Sequence, residues 1–189
     1  MQNKLIARSA KLLTETKKGR RKGVAITYEH IPKDLDERNH GSLYAVIHVN
    51  APVAEAQEII ELVIEAFHGE YYQDINREPL LSFEAALSKI NEELADITHQ
   101  GKISWLNNLD AILAVLTGTT LHVTKAGKTE AFLYRGEKQS HVSEDLSGDV
   151  INPLRTFINI ASGEMYEEIK SRSLLPERFI IFPRTNYRK

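Results

Sequence analysis

Apolar residues recur at helical spacing in two long stretches and alternate or cluster in short blocks elsewhere, so the chain reads as strands interrupted by two helices. From Ala51 to about His68, Val53, Ile59, Ile60, Val63, Ile64 and Phe67 fall on one helical face, with Asn50 as the expected N-cap and Pro52 as an early helical position. A second helix is predicted from Ser82, after Pro79, to His99, before Gly101. Its stripe is Phe83, Ala86, Leu87, Ile90, Leu94 and Ile97, with Glu92, Glu93 and Asp96 turned outward. Each helix should cover a sheet face.

Lys22 to His30 and Ser42 to Val49 read as strands, with Lys33 to Gly41 (KDLDERNHG) between them as a charged loop. Leu109 to Asp145 reads as four short strands, punctuated by Thr117-Gly118-Thr119, Ala126-Gly127-Lys128 and Arg135-Gly136-Glu137. That is the pattern of an antiparallel meander closed by tight glycine turns. A further strand is expected at Arg178 to Phe182. Strands and helices together predict an α+β class, an antiparallel sandwich flanked by helices.

The segment Gly118-Thr119-Thr120 followed by Ala126-Gly127-Lys128-Thr129-Glu130-Ala131-Phe132-Leu133-Tyr134-Arg135 resembles the central meander of the PPM-type, metal-dependent 2C-class protein phosphatases. There a G-T-T strand leads to a V-G-D-S-R-A-Y-L hairpin, and the aspartate that helps to hold the metal-bound water falls on Lys128. A cation stands where a divalent-metal site needs an oxygen anion. The family's F-A-V-A-D-G-M-G-G-H motif is matched by Tyr44-Ala45-Val46-Ile47-His48-Val49-Asn50-Ala51-Pro52, with His48 at the Asp position and Val49 at the Gly position. Its later S-D-G motif would follow Phe182, where Thr185 stands for the Asp. Its phosphate-contacting basic residue matches either Arg20 or Arg21, without the acidic pair that follows in the family.

What the resemblance implies is a four-layer α-β-β-α sandwich that is C-terminally incomplete or shortened, because no room remains after residue 185 for the family's final helix and strand. Residues 1–22 would form a basic N-terminal segment, the first strand and turn of the domain, and residues 23–189 the PPM-phosphatase-like domain. Proteasome-type hydrolases share the layering in outline. They need a processed N-terminal nucleophile, and this chain opens Met-Gln-Asn.

Composition narrows the chemistry. With 189 residues and 42% hydrophobic content the chain is expected to bury one sizeable core. The absence of cysteine excludes a disulfide framework, a thiolate nucleophile and a zinc-thiolate site. No apolar run approaches a membrane span, and a cytoplasmic location is the expectation. The net charge of −2 is uneven: residues 1–23 hold eight Lys or Arg against Glu15 alone, leaving −9 for the remainder. This basic cluster, densest from Lys17 to Lys22, is a weak nucleic-acid signal without aromatic interleaving, and a solvated extension is the plainer reading.

The seven histidines, His30, His40, His48, His68, His99, His122 and His141, show neither a His-x-His pair nor a His-Glu-x-x-His helix. Carboxylates group at Asp34, Asp36 and Glu37, and again at Glu144, Asp145 and Asp149, without building a two-metal centre. Trp105, the sole tryptophan, is expected in the core. No catalytic residue and no metal ligand are assigned. His48, Lys128 and Thr185 are degenerate metal positions, and Arg20 or Arg21 is a phosphate or acidic-partner contact. The resulting expectation is a catalytically silent PPM-type domain, without a cofactor, that binds or regulates a protein partner. The alternatives are a divergent Ser/Thr phosphatase using Mg²⁺ or Mn²⁺, in which His48 acts as a replacement ligand, and nucleic-acid binding through the basic cluster.

Overall fold

The strand β2 (Ser42–Val49) sets the architecture, because its Leu43, Ala45, Ile47 and Val49 are fully or almost fully buried while the residues between them are partly exposed. In a strand successive side chains point to opposite faces, so one face of β2 carries a continuous apolar row. The computed structural model describes residues 23–118, 120–135, 138–142, 146, 154, 157–161 and 178–182, and β2 lies second in a five-stranded sheet within them. The order of that antiparallel sheet is β1 (Val24–His30), β2, β3 (Leu109–Thr117), β4 (Thr120–Ala126) and β7 (Phe157–Ala161). A three-stranded sheet places β5 (Glu130–Arg135) between β6 (Lys138–His141) and β8 (Arg178–Phe182).

Two helices lie against the first sheet. The apolar stripes of α2 (Val53–Tyr71) and α3 (Pro79–His99) join the odd-numbered residues of β2 and β3 in one core that includes Phe67, Phe83, Leu94, Leu113 and Trp105. The rings of Phe67 and Phe83 sit 6.2 Å apart, and Lys102, just past α3, pairs with Glu58 near the start of α2, so α3 returns along α2. Both helices are longer than the spacing predicts, to Tyr71 at one end and from Pro79 at the other. Proline at a first helical position costs nothing there, because that N–H has no intrahelical partner. Asn91 of α3 accepts from the Leu154 N–H and donates to its carbonyl, fixing that buried leucine to the helix.

The even-numbered face of β3 is also buried. Ile112 and Ala114, with Val123 of β4, pack on Ala131 of β5 and Leu146, which joins the two sheets. The described residues thus form helix, sheet and sheet layers of an α+β sandwich of antiparallel sheets. The second helical layer implied by the resemblance, the basic segment 1–22 and the turn containing Thr185 fall outside the described residues.

Three local expectations are corrected. The charged loop contains a helix, α1 (Leu35–His40), because Asp34 caps it, accepting from the N–H groups of Asp36 at 2.9 Å and Glu37 at 3.4 Å. Asn50 is not a cap: α2 starts after Pro52 with no side-chain cap, and the Asn50 N–H instead donates to the carbonyl of Asn108. The four strands from Leu109 are present but do not form one meander. The turn Gly127-Lys128-Thr129 carries the chain from β4 in the first sheet to β5 in the second.

Candidate functional site

β2 ends, β3 begins and β4 ends on the same edge of the five-stranded sheet. In that register His48 lies directly opposite Asp110, and Val49 opposite Leu109. Both polar residues belong to the even-numbered set of their strands, the face turned toward the second sheet. His48 Nδ1 is 3.4 Å from Asp110 Oδ2, the long end of a hydrogen bond. A carboxylate only accepts, so the Nδ1 proton is the one donated.

The turn that changes sheets closes over this pair. The Lys128 backbone N–H donates to Asp110 Oδ1 at 2.7 Å. Gly127 makes the approach feasible: its φ is +67°, and a Cβ there would lie 2.3 Å from Asp110 Oδ1 and 2.4 Å from the Leu109 carbonyl oxygen. On the other side, Gly23 at φ +103° leads into β1, and a Cβ there would lie 2.5 Å from the Val49 carbonyl and 3.2 Å from His48 Nε2. Two glycines therefore let two chain segments close on the His48–Asp110 pair. Burial would raise the Asp110 carboxyl, but the hydrogen bond from His48, that from Lys128 and the charges of both hold it below its ordinary value of 3.8.

His48 and Lys128, far apart in sequence, are thus brought together, and the link between them is Asp110. Periodicity does not single out this carboxylate, although it is the one charged residue in the apolar run LDAILAVL. A carboxylate at the start of a doubly buried strand needs partners, and that is the signal that could have found it. Arg20, Arg21 and Thr185 lie outside the described residues. Nearby, the buried Thr129 hydroxyl has no hydrogen-bond partner among the described residues.

The described donor set is a poor one for Mg²⁺ or Mn²⁺. Such ions bind carboxylate oxygens and complete their shell with water, whereas among the described residues this edge offers one carboxylate with both oxygens engaged, one imidazole and one exposed lysine. Among the described residues, no three His, Cys, Asp or Glu side chains are grouped to hold a metal ion.

Neither a protein-family model nor a characterised protein sequence matches the chain. Similarity appears in three dimensions. The solved structure of PppA, described as a key regulatory component of T6SS in Pseudomonas aeruginosa, superposes with a TM-score of 0.51 at 14% identity, over 84% of this chain and 75% of that one. The chain has the PPM-phosphatase fold. Also similar are the Mycobacterium tuberculosis serine/threonine phosphatase PstP/Ppp, with a TM-score of 0.44, 12% identity and coverage of 85% and 73%, and the catalytic domain of PstP in complex with two manganese ions. The latter has a TM-score of 0.44 and 16% identity over 66% of this chain and 56% of that one. In the PPM fold of this chain, the His48–Asp110 pair lies between the two sheets at the edge where β2 ends.

Proposed function

We propose that this domain is a catalytically silent PPM-type domain that serves as a protein-binding or regulatory module. The observation that carries the proposal is the state of Asp110, the carboxylate found at the His48 and Lys128 positions. One oxygen accepts from the His48 imidazole and the other from the Lys128 backbone N–H. A carboxylate satisfied in this way is stabilised without a metal, whereas a cluster of metal-binding aspartates repels itself until cations arrive. The regulatory role stated for PppA, which has the same fold, is in keeping with this reading. Arg20 and Arg21 are the residues proposed to meet a phosphorylated or acidic segment of the partner, through charge-assisted bonds that need no metal.

Two measurements on the whole chain test it. The first is hydrolysis of an aryl phosphate and a phosphothreonine peptide in millimolar Mn²⁺, with a chelated control. The second is the melting temperature across the same titration. A site saturated about 100-fold above its Kd would add about 2.7 kcal/mol, or roughly 5–10 °C for a domain of this size. Absence of turnover and of any such rise is expected. Chelator-sensitive turnover that falls in His48→Ala would instead establish the divergent phosphatase reading.

A further inference from the structure

We propose that His30, His68 and Tyr72 form an acid-sensitive clamp that fastens the end of strand β1 to the end of helix α2 and loosens when the His68 imidazole takes up a proton. The three rings are in mutual contact. His30 meets His68 edge-on with centroids 4.5 Å apart, and Tyr72 lies 5.2 Å from each. His68 and Tyr72 are one helical turn apart at the end of α2, so they present side by side to His30. Among the described residues β1 is an edge strand, hydrogen-bonded to β2 alone. The ring contact adds support to its last residue beyond the ladder with β2.

The clamp has little provision for charge. Among the described residues His30 Nε2 is buried without a hydrogen-bond partner, so a proton placed there would carry a cation into a spot where they offer no acceptor. The groups around it come from every neighbouring element: Tyr28 and Glu29 from β1, Glu37 from α1, Tyr44 from β2, and Tyr71 and Tyr72 from α2. His40, at the end of α1, packs at a tilt against Tyr71 and Tyr72 and faces Asp74 and Arg77. Glu37 is the one carboxylate that favours a charged His68, and it is outweighed: burial, and then the His30 ring, hold His68 below its ordinary 6.5. Burial likewise lowers His40, against the pull of the Tyr71 carbonyl and Asp74. The tyrosines cannot help as anions, since burial pushes Tyr71 up to about 12 and Tyr72 higher still.

The sign follows from linkage. A histidine whose pKa is lower folded than unfolded leaves stability intact above 6.5, and the loss grows as pH falls below 6.5, because the unfolded chain binds the proton first. The hydroxyl of Tyr72 donates to the Gly41 carbonyl at 2.7 Å and that of Tyr71 to the His40 carbonyl at 2.6 Å, so a disturbed ring cluster acts on the α1–β2 corner as well.

The test compares the whole chain with His68→Phe and His30→Phe, which keep an aromatic ring and remove the titrating group. Denaturant midpoints are measured between about pH 8 and pH 5, and the imidazole resonances are followed by NMR over the same range. Expected are a His68 midpoint below 6.5 and a falling stability in acid whose slope is cut by at least half in His68→Phe. Amides of Tyr28 to His30 should gain exchange at acid pH beyond the intrinsic rate change. A His68 midpoint at or above 6.5 overturns the proposal, as does an unchanged acid slope in His68→Phe. Should that variant not fold, His68→Gln takes its place, and the wild-type NMR midpoint and exchange data decide independently.

Discussion

At the residue scale, the one charged residue of β3 explains most of the site. Asp110 sits 18% exposed, opposite His48, under a turn whose glycine allows no Cβ. Its two oxygens serve different segments, so it joins β2 to the β4–β5 crossing as well as carrying charge. Asp110→Asn keeps an acceptor for the Lys128 N–H and removes the charge. Hydrogen bonds to charged groups contribute about 1.5–3 kcal/mol against about 1 for neutral ones, so a loss of about 1–2 kcal/mol at pH 7 is expected from urea unfolding. Asp110 is held below 3.8 in the fold, so its contribution is present above that pH and is lost as pH falls through the lowered value. The variant should therefore lose the part of the wild-type acid transition that lies below about pH 4, and an identical transition in both proteins would count against the carboxylate's role.

At the element scale, the two long helices, β2 and the strands from Leu109 were legible, because periodicity reports burial and burial organises this core. Leu94 was on the predicted stripe of α3 and is fully buried in the helix–sheet core. Leu94→Ala should cost about 2–5 kcal/mol, the range for truncating a buried leucine, measured as a shift in urea midpoint with unchanged m-value. A loss under about 1 kcal/mol would mean that α3 does not bury this face. What periodicity missed has physical causes. α1 is six residues long, too short for an apolar stripe, and exists through its Asp34 cap and its buried His40, whose Nε2–H donates to the Tyr71 carbonyl at 3.2 Å. The β4–β5 turn reads as a hairpin, since glycine punctuation is the same whether a chain reverses within a sheet or passes between sheets. Only the pairing distinguishes the two: β4 bonds to β3 and β7, and β5 to β6 and β8. Asp110 escaped for a related reason, because its meaning depends on which residue the register places opposite it.

At the scale of the whole molecule, the balance of charge between the sheets separates the silent reading from the enzymatic one. Among the described residues, the one carboxylate at this edge faces an imidazole and an amide, with the Lys128 charge close enough to lower its pKa. No described helix is long and apolar enough to cross a membrane, and the two sheets meet through Ile112, Ala114, Val123 and Ala131. The sandwich is therefore held by packing that does not pass through the site. Lys128→Asp tests the consequence: it reverses the charge beside Asp110 and leaves the backbone N–H in place. Like charges at this distance should raise the Asp110 pKa, measurable by NMR, and lower stability by about 0.5–1 kcal/mol. If the domain is silent, millimolar Mn²⁺ will neither restore that loss nor bring turnover. Recovery of stability in Mn²⁺ that is reversed by chelator would mean that further ligands converge on Asp110, and would turn the proposal back to an enzyme.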